Sequence, residues 1–334
     1  MRFSLILAIG VLGETLPAAE NDKAAIKLIE VNKIWDKGKH NAFTDLIRFQ
    51  DKWFCTFREG DGHAAGAGKV RVLVSPDGKN WESSALIARK DVDLRDPKLS
   101  ITPEGRLMIV GGAAEPASRN PVRDHYSFIC FSKDGKTWTE PKRVLGSWQW
   151  LWRVTWHNGT AFGVAYSWDP QVPRGKRNRG AKLYRSKDGL NYEEVTTFQL
   201  VNPSEATLAF DRETMLCLQR RDGNPNSAQI GISKPPYKEW HWKDLGQYFG
   251  GPNMVRAKNG SWLAAGRLLT KNGARTALCR LDPHKGTLKP LITLPSGGDT
   301  SYPGLVVHGS ELWMSYYSSH EGKTSIYLAR FSLP

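Results

Sequence analysis

The heptad "SKDGKTW" (132–138) has a near copy in "SPDGKNW" (75–81) and a looser one in "SKDGLNY" (186–192), spaced 57 and 54 residues apart. Regular spacing of that size is the signature of a repeat architecture. Serine and aspartate side chains hydrogen-bond backbone amides in a turn, glycine supplies a positive φ, and a closing aromatic packs back on the sheet. The heptad therefore reads as a structural joint between strands, with no catalytic role.

The joint belongs to a longer unit. "AFTDLIRFQDKWFCTFRE" from Ala42 is an alternating strand, a polar turn and a second strand. The same shape recurs from Asp96, Trp152, Glu205, Pro252 and Tyr302, giving six hairpins 47 to 56 residues apart. A third strand follows most of them, and three of these run straight into a heptad. Four-stranded units repeated radially make a β-propeller, so the expected fold is an all-β, six-bladed propeller spanning residues 26–334. The last blade runs out of chain after its third strand. "IKLIEVNKIW" (26–35) is expected to supply its outer strand, closing the ring and removing an exposed edge.

Composition narrows the class. Hydrophobic residues make up 40% of the 334, enough for a packed core and too few for a membrane protein. "SLILAIGVLG" behind Arg2 and the small-residue "LPAA" read as an export signal ending near Ala19, too short to span a bilayer. The chain is thus expected to be periplasmic or secreted. Cys55, Cys130, Cys217 and Cys279 lie far apart in apolar strands and read as small buried hydrophobes. The formal charge is +14, with a basic loop at "PRGKRNRG" (173–180). In an exported protein this favours an acidic glycan as partner over nucleic acid or membrane insertion. No metal-ligand spacing or phosphate loop is present, so no cofactor is expected.

Topology then sorts the polar residues. In each blade the start of the first strand, the end of the second and the start of the third share one face, with the heptads on the other. That face collects His40, Arg58, Arg95, Asp96, Arg153, Glu205, Arg220, Arg267, Arg275 and Tyr302, and the loop "EGDGH" adds Asp61 and His63. Crowded like charges on one face point to an anionic ligand.

These segments resemble the exo-sialidase superfamily of six-bladed propellers, whose Asp boxes the three heptads resemble. "SEATLAFDRETMLCLQR" is similar to the family segment with a glutamate opening one strand and an arginine ending the next, which implies Glu205 and Arg220. "GARTALCRLD" implies Arg275 as a further carboxylate-binding arginine. "GGDTSYPGLVVHGSELWMSYY" implies Tyr302 as nucleophile, and "FREGDGH" implies Asp61 as acid/base. The family's first-strand arginine falls near Ala42, leaving Arg58, Arg267 or His40 to substitute.

The resemblance implies a retaining glycoside hydrolase releasing terminal sialic acid or a related acidic sugar. Arginines bind the sugar carboxylate through paired hydrogen bonds. A neutral tyrosine activated by glutamate avoids the repulsion that an anionic nucleophile would meet. Asp61 would protonate the leaving oxygen, then activate water. Two alternatives stand beside it: a propeller hydrolase or lyase for uronic-acid or sulfated polysaccharides, and a non-catalytic glycan-binding propeller.

Overall fold

The computed structural model describes residues 25–115, 124–173 and 178–334. The segment expected to be an export signal, and the centre of the basic loop, lie outside these. Among the described residues there are twenty-four strands, arranged as six antiparallel four-stranded sheets around an axis, and no helix. The six innermost strands are His40–Phe49, Asp93–Ile101, Gln149–His157, Pro203–Asp211, Gly250–Arg256 and Thr300–His308. They open blades one to six in chain order.

The ring closes as expected. Lys27–Trp35 pairs antiparallel with Ser325–Ser332 as the outer strand of blade six, with Val31 opposite Ala329. Arg330 crosses the seam, bonding Glu30 at 2.5 Å and Glu311 at 2.8 Å while lying over the Trp313 ring.

The three heptads form the same turn. In each, the aspartate carboxylate accepts two backbone N–H bonds at 2.8–2.9 Å, and the serine hydroxyl accepts the glycine N–H at 2.8–2.9 Å. The glycines have φ of 72–74° and seat a side chain from the second strand of the preceding blade. Trp313 lies against Gly78, Phe54 against Gly135 and Met108 against Gly189. The joints therefore also lock blade to blade. Blade four carries a fourth version that the sequence conceals. Trp240 bonds the Tyr237 carbonyl just as Trp81 bonds that of Gly78, and Tyr237 takes the glycine's positive φ at 64°.

Every innermost strand breaks register at the same level. The breaks lie between Ala42 and Asp45, Arg95 and Lys98, Leu151 and Val154, Pro203 and Ala206, Gly250 and Asn253, and Ser301 and Gly304. A bulge frees backbone carbonyls and re-aims side chains. The freed carbonyls are satisfied from neighbouring blades: Thr44 donates to the Tyr302 carbonyl, Lys98 to Thr44, Thr207 to Pro252 and Asn253 to Pro303. Phe43, Asp96, Gly251 and Tyr302 hold φ between 50° and 68° at equivalent bulge positions. Positive φ is costly for a bulky residue and is sustained only where its surroundings over-determine it. The four cysteines are free and buried, as read from sequence.

Candidate functional site

At the bulge level Tyr302 and Glu205 meet. The Tyr302 hydroxyl donates to Glu205 Oε1 at 2.5 Å. The other carboxylate oxygen, Oε2, receives Arg220 Nη1 at 2.7 Å and the Gly251 N–H at 2.8 Å. Gly251 has to be glycine here: with φ of 59°, a Cβ would stand 1.9 Å from the Tyr302 ring. Burial alone would raise the Glu205 pKa, but the Arg220 charge and the hydrogen bonds from Tyr302, Arg220 and Gly251 hold it below the usual carboxylate range. Burial, reinforced by the Glu205 charge, pushes the Tyr302 phenol well above its ordinary value. The resting pair is a carboxylate hydrogen-bonded to a neutral phenol. Such a pair can pass a proton from tyrosine to glutamate as the phenol oxygen attacks an electrophile.

Aromatic and cationic groups frame the pair. Trp152 stands edge-on to Tyr302 at 5.0 Å, and Phe43 lies 5.2 Å away. The Arg267 guanidinium lies 5.8 Å from the Tyr302 ring, held by the Thr300 carbonyl at 2.7 Å and the Tyr317 hydroxyl at 3.2 Å. Lys98 is wholly buried between Trp152 and Tyr302, and burial lowers its pKa to about 8.

Asp96 occupies the bulge position of blade two. It is 7% exposed, and its Oδ1 has no hydrogen-bond partner. Burial raises its pKa against the pull of Arg95 and Lys98, and the Glu205 charge adds to the rise.

The other sequence candidates are placed differently. Asp61 is bonded to Lys39 at 3.1 Å on the surface, with 61% of its side chain exposed. Arg58 is completely buried and commits its donors to Asp93 and the carbonyls of Gly62 and Ala65, so it braces the loop that carries Asp61. Arg95 reaches the same loop at the His63 carbonyl. Arg153 pairs with Asp45 at 2.8 Å and lines a cavity of about 490 Å³ formed by the far halves of the innermost strands. Arg275 bonds the Ala274 carbonyl next to Gly297. At Ala42 only a buried methyl group stands where the resemblance would put an arginine. His40 turns to Asp299, whose Oδ2 receives His40 Nε2 at 3.1 Å and His63 Nδ1 at 2.7 Å. Asp299 and Tyr317, which donates to Asp299 Oδ1 at 2.9 Å, were not among the sequence candidates. The only sequence signal for Asp299 is its place three residues before Tyr302.

No known sequence family and no curated protein matches the chain. Solved structures do. A protein of unknown function from Dyadobacter fermentans aligns over 93% of this chain and all of its own at 18% identity, with a TM-score of 0.81. The Trypanosoma rangeli sialidase aligns over 88% of this chain and 55% of its own at 14% identity, with a TM-score of 0.68. An α-L-arabinofuranosidase from Fusarium graminearum aligns over 91% and 98% at 14% identity, with a TM-score of 0.70. The six-bladed propeller fold is shared with these structures. At these identities the likeness is one of architecture.

Proposed function

We propose that the protein is a retaining, exo-acting glycoside hydrolase in which Tyr302 is the nucleophile and Glu205 its base. The observation that carries this reading is the buried Tyr302–Glu205 hydrogen bond of 2.5 Å, with Arg220 on the carboxylate's other oxygen. A fold-only role needs no phenol at a strained bulge position, and a pure binding site needs no base beneath it. The sialidase and arabinofuranosidase of like fold support a glycosidase.

For the sugar, an acidic monosaccharide such as sialic acid fits the cations around Tyr302. A phenol nucleophile, neutral until attack, suits a substrate with a carboxylate at the reacting carbon. Arg220 bonds Glu205, Arg267 lies over the Tyr302 ring, and Arg95 lies 5.4 Å from the Phe43 ring beside it. A neutral sugar is the second reading, favoured by the methyl group at Ala42 and by the prior commitments of Arg220 and Arg267 to protein acceptors.

The proton donor in this reading is Asp96 rather than Asp61. Asp96 is buried at the bulge level with an unpartnered oxygen, and burial raises its pKa, the direction a general acid needs. Asp61 faces solvent and Lys39. Export, by removal of about the first 19 residues, belongs to the same proposal and puts the enzyme among extracellular or periplasmic glycans.

The test is turnover of a fluorogenic sialoside, glucuronide and α-L-arabinofuranoside by the wild type and Tyr302→Phe. The Phe variant should lose activity by orders of magnitude while stability stays within about 1 kcal/mol. A glycosyl fluoride with a second fluorine on the carbon next to the anomeric centre (C3 of a sialoside, C2 of an arabinoside) should label the wild type on Tyr302 by mass spectrometry. Label on another residue, or full activity in the variant, would overturn the mechanism.

A further inference from the structure

We propose that His40, His63 and Asp299 form a site for one first-row divalent cation of the zinc type, at the seam between blades six and one. The inference is independent of the glycosidase reading. The three residues come from three segments: His40 opens the innermost strand of blade one, His63 lies in the loop after that blade's second strand, and Asp299 immediately precedes the innermost strand of blade six. No local spacing motif could reveal them.

Their ligand atoms converge. His40 Nε2 and His63 Nδ1 lie 3.1 and 2.7 Å from the same carboxylate oxygen, and all three atoms fall within 4.8 Å of one another. Donors on a tetrahedral zinc ion with bonds of about 2.0–2.1 Å stand roughly 3.3 Å apart. Small side-chain rotations therefore bring the set onto one ion. The ion would occupy the point at which imidazole protons are now shared with Asp299, and each ring would carry its remaining proton on its other nitrogen.

The outer layer is built around Asp299 and the His63 loop, while His40 Nδ1 is buried without a partner. Asp299 Oδ1 accepts from Tyr317 at 2.9 Å, and its backbone N–H donates to Ser319 Oγ at 2.9 Å. The His63 loop is braced by Arg58 through Gly62 and Ala65, and by Arg95 through the His63 carbonyl itself. Such support fixes ligand orientation before the ion arrives. His40 is 12% exposed and His63 55%, so the site has a buried wall and an open side for entry and for a water ligand.

The donor set selects the ion class. Two imidazoles and one carboxylate suit zinc and its neighbours, whereas magnesium and calcium need mostly oxygen ligands. The setting excludes binding by charge alone: Arg267 Nη2 lies 3.9 Å from Asp299 Oδ1, so an ion must be held by its nitrogen bonds. Bound there, it would fasten blade six to blade one beside the Tyr317–Tyr302 contact, where the rings are 5.9 Å apart.

The test uses full-length, tag-free protein stripped with EDTA and dialysed, titrated calorimetrically with zinc chloride. One ion per chain should bind, and the melting temperature should rise with zinc. His63→Ala should abolish both effects, as should Asp299→Asn, while the surface control His284→Ala should keep both. His63 is exposed, so its variant should fold even if Asp299→Asn does not. No one-to-one isotherm in the wild type, or equal affinity in His63→Ala, would overturn the proposal.

Discussion

At the scale of single residues, the funnel sets two carboxylates to different tasks by their surroundings. Glu205 is held ionised by Arg220 and two further donors, while Asp96 has burial without a partner for Oδ1. If Asp96 is the acid, Asp96→Asn should depress hydrolysis of substrates with poor leaving groups by about 10²–10⁴-fold and spare a dinitrophenyl glycoside. Asp61→Asn should leave both rates near wild type; steady-state kinetics on the paired substrates decides. Lys98 offers a reading from stability. Its folded pKa of about 8 lies below its ordinary value of 10.5, so between these pH values the unfolded chain holds a proton that the folded chain lacks. Stability from this group therefore rises with pH above about 8, by about 2 kcal/mol on reaching pH 9.5, and the penalty is fully present below pH 8. Urea denaturation across that range should show the slope in the wild type and lose it in Lys98→Met. Topology put Tyr302, Glu205 and Arg220 on one face together with several other polar residues, and only the resemblance to exo-sialidases singled the three out. Lys98 was not legible, since one lysine in an alternating strand carries no mark of its burial. Nor was the meeting of Asp299 with His40 and His63, because a loop carboxylate shows its partners only once the ring has closed.

At the scale of elements, the repeated turn works through what it seats as much as through its own hydrogen bonds. Gly135 combines φ of 72° with a side-chain site already filled by Phe54, whose Cε1 would lie 2.1 Å from an added Cβ. Gly105 has a similar φ of 70° but open space around it. Gly135→Ala should therefore cost about 2–4 kcal/mol and Gly105→Ala about 1 kcal/mol. Equal losses in chemical denaturation would show that backbone conformation alone, and not the blade contact, sets the need for glycine. Three of these turns could be read from their residues. The fourth, around Tyr237, was hidden because tyrosine replaces glycine there and the Trp240 bond to its carbonyl is a three-dimensional fact. The axial bulges were equally invisible: each puts one extra residue in the innermost strand, which advances three positions while its partner advances two, and no residue type marks the place, yet the bulge aims Tyr302 and Asp96 into the funnel.

For the whole molecule, the period of the hairpins fixed the blade count before any coordinate, since radial repetition with a shared core has few solutions. The closing strand was legible for a similar reason: blade six has three strands from its own hairpin unit, and residues 26–35 read as a strand outside the six hairpins. Deleting residues 25–36 should leave Ser325–Ser332 with one unpaired edge. The expected outcome is aggregation in size-exclusion chromatography, and a monomer of wild-type stability would show that the seam is dispensable. Pairing the two ends of the chain also orders events in time. During synthesis, blades one to five can assemble as they emerge, but Lys27–Trp35 must wait unpartnered until Ser325–Ser332 is made. Closure can therefore come only after Ser325–Ser332 has been made, and a chain interrupted before that point is left as an open arc.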